Sequence, residues 1–264
     1  MSGDAPPWLE LQNAMLAEPS NASLRRVLMD ALLEVNHPRA KLWLEGGVGT
    51  AELLGPLVDV VEPGFTFVEG WLHTARLKAG ASRLAGHPLW ATVEVLDAAG
   101  DSTVSSHPVM KSLRTVSRSS AAVTQLPPQL EHLLEHRVSR ADVIALSSVN
   151  TLPRLTGLHV VIAADEVASL LPRVAALTSL RVDLVDATPE SHPHVVERVY
   201  RTGVERMAFG SFQGRLLLEV WRRGASYDWH ATRDLHAATA EVRQRVDDAH
   251  RFLMWQLRAL GVST

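Results

Sequence analysis

Cysteine is absent from the 264 residues. Disulfides, thiolate metal sites and a cysteine nucleophile are excluded with it, and the absence fits a reducing compartment. Lysine is scarce too: Lys41, Lys78 and Lys111 are the whole supply, so arginine carries nearly all the positive charge. Aromatics make up 5% against 46% hydrophobic residues overall, so a core must be built mostly from Leu, Val and Ala. No apolar run approaches the ~18 residues that suggest a membrane span. The start, MSGDAPPWLELQN, lacks the basic opening and apolar centre of a signal peptide. These lacks predict a soluble, cytoplasmic protein that does not bind membranes. The net charge of -3 has no basic excess, which argues against a nucleic-acid binder. No G-x-S-x-G, P-loop or G-x-G-x-x-G occurs, and no serine has an identifiable triad.

What is there begins with helices. A first helix is expected from Trp8 to Leu16, stopped before Glu18-Pro19. A second starts near Ser23 as N-cap, with Leu24, Val27, Leu28, Ala31 and Leu32 on one face. Asn36 suits a left-handed C-cap, and Pro38 blocks continuation. A short third helix is expected over Arg39 to Leu44. Such a module, about 45 residues long, is too small to be stable alone and should pack on the rest of the chain. Beyond it, Ala51 to Val61 suits a helix, Pro63-Gly64 a turn, and Phe65 to Leu72 alternates like a strand.

From Arg83 short apolar strand candidates recur: Val93–Leu96, Leu113–Val116, Val143–Leu146, Leu158–Ile162, Leu180–Val185, Val204–Phe209 and Leu216–Trp221. HPLWATVEVL matches HPVMKSLRTV at an offset of 20, and Leu158 of LPRLTGLHVVI and Leu180 of VAALTSLRVDL lie 22 apart. A period of 20–29 with an L-x-x-L-x-L/V core is the pattern of leucine-rich repeats. One such unit cannot bury its apolar face, but stacked neighbours bury it together. The usual asparagine after the strand is missing: Ala163-Ala164 and Asp186-Ala187 stand there. The expected fold is therefore α/β, a leucine-rich-repeat-like solenoid of parallel strands, against the alternative of an ordinary α/β sheet.

The last element, Ala231 to Leu260, carries a stripe of Val242, Val246, Ala249, Leu253, Leu257 and Leu260. A helix of this kind buries one face. It reads as the end cap of the solenoid or as a dimer contact. The expected organisation is 1–48 helical module, 49–230 repeat region and 231–264 capping helix.

Residues 19–40 resemble the bacterial repeat-companion domain family. Its pattern is a helix, then N-P-x-D, then R-L-V-Y-A-D-W-L-E-E-x-G-D-P-R-A-E. Pro19, Arg25, Val27, Asp30, Leu32, Glu34, Pro38, Arg39 and Ala40 match it without a gap. Ala31 replaces its tryptophan, Leu28 its tyrosine, and Asn36-His37 its Gly-Asp. The resemblance implies a helical cap ahead of a leucine-rich-repeat-like region and no catalytic role. At the turn itself, Asp30 and Arg39 are placed for a structural ion pair or cap.

Twelve histidines raise a metal reading. SHPHVVE brings His192 and His194 near Glu197, WHATRDLH offers His230, Asp234 and His236, and EHLLEH sets His132 and His136 at i, i+4. The H-E-x-x-H order of zinc helices is absent, and His-Pro turns and exposed helix histidines account for all three clusters. The alternative function, a metal-dependent hydrolase, would use His192, His194 and His230. The favoured function is a non-catalytic scaffold with no cofactor that binds a protein partner. Its contacts would be the outward strand positions Arg114, His159, Arg181 and Asp183, with Trp221, Arg222, Tyr227 and Trp229 between the last strand and the final helix. Those aromatics read equally as a seal beneath the cap helix. A third reading makes the chain a subunit of a larger assembly docked through the C-terminal helix.

Overall fold

The computed structural model describes residues 6–45, 50–148, 150–163, 166, 169–170, 177–185, 206–212, 215–223, 226–231 and 240–259. The chain is α/β and divides into two compact units, Met1–His132 and Leu133–Thr264.

The first unit opens with α1 (Pro7–Ala17), α2 (Ala22–Glu34) and α3 (Pro38–Glu45). The cap of α2 is Asn21, whose side chain accepts the Leu24 N–H at 3.2 Å, so the expected cap Ser23 lies inside the helix. The helix ends where Asn36 takes φ 52°, the left-handed position expected of it. Its buried face is Leu28, Met29 and Leu32; Val27 is 51% exposed, so the buried stripe is rotated toward Met29.

Ala51–Asp59 is a pair of 3-10 turns rather than a helix, because Gly55 at φ 54° precedes Pro56 and breaks the run. The expected single strand from Phe65 is a hairpin of β1 (Thr66–Val68) and β2 (Trp71–Arg76). Its two-residue turn puts Glu69 and Gly70 at φ 51° and 77°, the left-handed pair of a tight hairpin. Then β3 (Val95–Asp97) and β4 (Thr115–Ser117) come in parallel, with Thr74 opposite Val95 and Val95 opposite Thr115. The second pairing has the offset that the matched HP segments predict. Short 3-10 segments, Ala81–Leu84, Pro88–Thr92 and Val123–Gln125, occupy the returns. Inward columns stack across the strands: Leu72, Val93, Leu113 and Leu130 form one, Ala75, Leu96 and Val116 the next, all buried.

The second unit holds β5 (His132–Arg137), α4 (Arg140–Ser147), β6 (Gly157–Ala163), β7 (Ser179–Val185), β8 (Arg206–Phe212), β9 (Arg215–Arg223), β10 (Ser226–Ala231) and α5 (Ala240–Ala259). The expected strand Val143–Leu146 is part of α4, which Ser139 and Asp142 start with a reciprocal capping box. β6, β7 and β8 are parallel, and Gly157 opposite Ser179 again has the predicted offset. Parallel stacking ends at β8. β9 and β10 pair antiparallel, because Gln213-Gly214 and Gly224-Ala225 are too short for a parallel crossover. Ala231 closes β10, and the described part of the final helix begins at Ala240 and packs near β9. In α5, Leu253 is buried, while Arg243, Asp247, Asp248 and Arg251 are exposed. No helix among the described residues is long and apolar enough to cross a membrane.

Candidate interaction face

In the first unit each parallel strand is joined to the next by the same hydrogen-bond pattern. The Glu94 carbonyl accepts from both Arg114 and Thr115 N–H at 2.9 Å, and the Arg114 carbonyl accepts from Glu131 and His132 at 2.8 and 2.9 Å. In the second unit the Thr156 carbonyl takes Thr178 and Ser179 in the same way, at 2.8 and 3.1 Å. The pattern fixes equivalent positions from strand to strand, so equal side chains line up across the sheet.

His73, Glu94, Arg114 and Glu131 occupy one such outward row. His73 Nε2 lies 3.6 Å from Glu94, and Arg114 donates to Glu131 at 2.6 Å. Beside it, Arg76 lies 3.5 Å from Asp97, which also takes a bidentate contact from Arg118. Thr74, Val95 and Thr115 run between the two rows, all half-buried. Arg114 and Glu131 keep 40% and 39% of their side-chain surface. The result is a half-exposed face of paired charges over an aliphatic core. The sequence points to Arg114 alone; its companions His73, Glu94 and Glu131 escape a reading by strand pattern, although the matched HP segments place Glu94 opposite Arg114.

The second unit departs from expectation at His159. It is buried, not outward to solvent, and its Nε2 lies 2.8 Å from Asp183 Oδ2. Arg181 pairs in register with His159, and both Arg181 and Asp183 are half-buried. Trp221, Arg222, Tyr227 and Trp229 do not sit in a connection before the final helix: they belong to the β9–β10 hairpin. Trp221 is opposite Asp228, Arg222 opposite Tyr227 and Val220 opposite Trp229, so position 221 has the opposite pleat parity to the other three.

The histidines resolve in several ways. His132 and His136 lie on strand β5, where i, i+4 is no longer one helical turn, so they cannot form the expected helical pair. His230 lies on β10, which removes its helical pairing with Asp234. His192, His194, Glu197, Asp234 and His236 fall outside the described residues. Among the described residues no three histidine, aspartate or glutamate side chains gather as a metal site would require. Three histidines that precede proline share one structural task. His37, His87 and His107 turn Nδ1 back to accept the N–H two residues on, from Arg39, Leu89 and Val109 at 3.1, 3.3 and 3.1 Å. Each is a side-chain cap of the kind that asparagine usually supplies. Burial lowers the pKa of His37 and His87, with the Arg39 charge adding to the effect on His37.

Arg39 does not pair with Asp30, which is exposed. It is 6% exposed, and its guanidinium donates to the carbonyls of Gly70 at 2.8 Å and Leu53 at 2.5 Å while lying 4.6 Å from the Trp71 ring centre. Desolvation lowers its pKa to about 10, so it stays charged at neutral pH. Arg25 adds a 2.6 Å ion pair to Glu69, and Lys111 donates to the last carbonyl of α1, Ala17, at 2.5 Å. These contacts fasten the three helices to the β1–β2 hairpin and the returns. Comparison with protein-family models, with curated proteins and with solved structures finds no match for this chain.

Proposed function

We propose that the protein is a non-catalytic interaction scaffold that binds a protein partner through the outward face of β2, β3 and β4. In this reading the strands form a leucine-rich-repeat-like solenoid, α1–α3 its repeat-companion-like front cap and α5 its end cap. Support comes from consecutive parallel strands at offsets of 21, 20, 22 and 25 residues and from the recurring two-donor carbonyl. The observation that carries the binding reading is the row of paired, half-exposed polar and charged side chains at His73, Glu94, Arg114 and Glu131. Such a row offers directional contacts to a polar protein surface and costs little to leave in water.

The test is affinity capture of the tagged chain from native lysate, quantified by mass spectrometry. A stoichiometric partner lost with Glu94→Arg plus Arg114→Glu, and kept with Arg181→Glu, is the expected result. A partner indifferent to the first pair and lost with the Arg181 variant would move the surface to the second unit and sink the assignment to β2, β3 and β4.

A further inference from the structure

The His-Pro turn between α2 and α3 has a chemistry that the scaffold role does not use. His37 stands at the N-cap position of α3, its Nδ1 accepts the Arg39 N–H at 3.1 Å, and its ring packs on Trp8 of α1 with centres 5.1 Å apart. The same Arg39 reaches across to Gly70, Leu53 and Trp71. One residue pair thus joins α1, the α2–α3 turn, the 3-10 turns and β2. We propose that His37 is an acid-sensitive latch: protonation of its ring releases the Arg39 amide and loosens the helical module from the β1–β2 hairpin.

Three effects act in one direction. A protonated Nδ1 is a donor and can no longer accept the Arg39 N–H. The new cation faces the Arg39 guanidinium, whose surroundings are already desolvated. It also sits at a helix N-terminus, where positive charge is disfavoured. The nearest acidic groups along the chain, Glu34 and Asp30 on α2 and Glu45 on α3, are exposed, as are Glu10 on α1 and Lys41 on α3, so solvent screens what they contribute. Burial and Arg39 hold His37 below the ordinary value of 6.5. A group lowered this way supports the closed form fully above its ordinary value and loses that support as pH falls toward its own lowered value.

The experiment is an NMR titration of the full chain from about pH 7.5 to about 4.5, the range in which histidine charges. It follows the His37 ring together with the backbone amides of Arg39, Leu89 and Val109. The expected result is that the Arg39 amide leaves its hydrogen-bonded shift in step with the His37 ring. Its exchange opening constant should rise about tenfold per pH unit below the ordinary histidine value. His37→Asn keeps a capping oxygen and carries no proton, so it should abolish the Arg39 step and keep the Leu89 step. An Arg39 amide that does not move while His37 titrates overturns the latch, using the native chain alone. A step of the same size in His37→Asn overturns it as well.

Discussion

The outward positions of β2 and β6 carry a histidine in the same relation to the inward leucine, yet the two strands meet opposite environments. In β2 the run Trp71–Arg76 buries Trp71, Leu72 and Ala75 while His73 and Thr74 stay half-buried and Arg76 is exposed. In β6 everything from Gly157 to Val160 is buried, and so is Ile162. WLHTAR leaves His73, Thr74 and Arg76 partly or fully open to solvent, whereas GLHVVIA leaves only Val161 and Ala163 so. The histidine of the first unit therefore belongs to a surface, whereas the equivalent histidine of the second unit is buried beside half-buried Arg181 and Asp183. That is why the proposed interaction face is His73, Glu94, Arg114 and Glu131, and why buried His159 with half-buried Asp183 is read as a structural pair.

The largest effect that breaks or confirms this contrast is at the two histidines themselves. His159→Leu removes a 2.8 Å contact to Asp183 made from a buried position, and a loss of about 2 kcal/mol is expected on urea unfolding. His73→Leu removes a half-exposed pair 3.6 Å apart and should change stability by less than about 0.5 kcal/mol. Equal losses at the two sites would mean that the faces are alike after all.

Gly70→Ala should come next. The added Cβ would stand 2.6 Å from the Arg39 carbonyl, and the residue already sits at φ 77°. Loss of about 2 kcal/mol is expected, felt at the joint between α3 and β2. Circular dichroism melting of the variant checks it, and an unchanged melting temperature would show that the joint yields. By contrast, Trp71→Phe should be nearly neutral. Trp71 Nε1 is buried with no hydrogen-bond partner among the described residues, so losing it removes a desolvated donor while the ring beneath Arg39 remains.

How much of this is legible in the sequence depends on range. Caps and turns are readable where one residue type answers one backbone need, as Asn36 does at φ 52°. The strand offsets are readable because inward columns demand aliphatic residues at fixed spacing, as in Leu158 opposite Leu180. β5 passes for a helix because EHLLEH fits both periods over so short a run. Val143–Leu146 fails the other way: the Ser139–Asp142 capping box is present in the letters, and an apolar run outweighs it. The destination of Arg39 is out of reach, since nothing local announces a partner 31 residues away. Nor does any local pattern tell that His159 is buried.

The smallest expected effect is also the sharpest for function. Arg114→Glu with Glu131→Arg exchanges the two ends of an ion pair that is about 40% exposed on each side. The pair re-forms with reversed polarity, so folding stability should shift by less than about 0.5 kcal/mol. A partner that reads the order of charges along the row meets a like charge at two positions, and like-charge contacts in an interface cost several kcal/mol. The double exchange should therefore leave the unfolding curve in place and abolish capture. Retained capture with an unchanged curve would show that the row is only a solvated face of the sheet, and that the partner's surface must be sought elsewhere. Lost capture with a shifted curve would show instead that the pair holds the strands together, and the contrast between the two units would then rest on half-buried His73 and buried His159 alone.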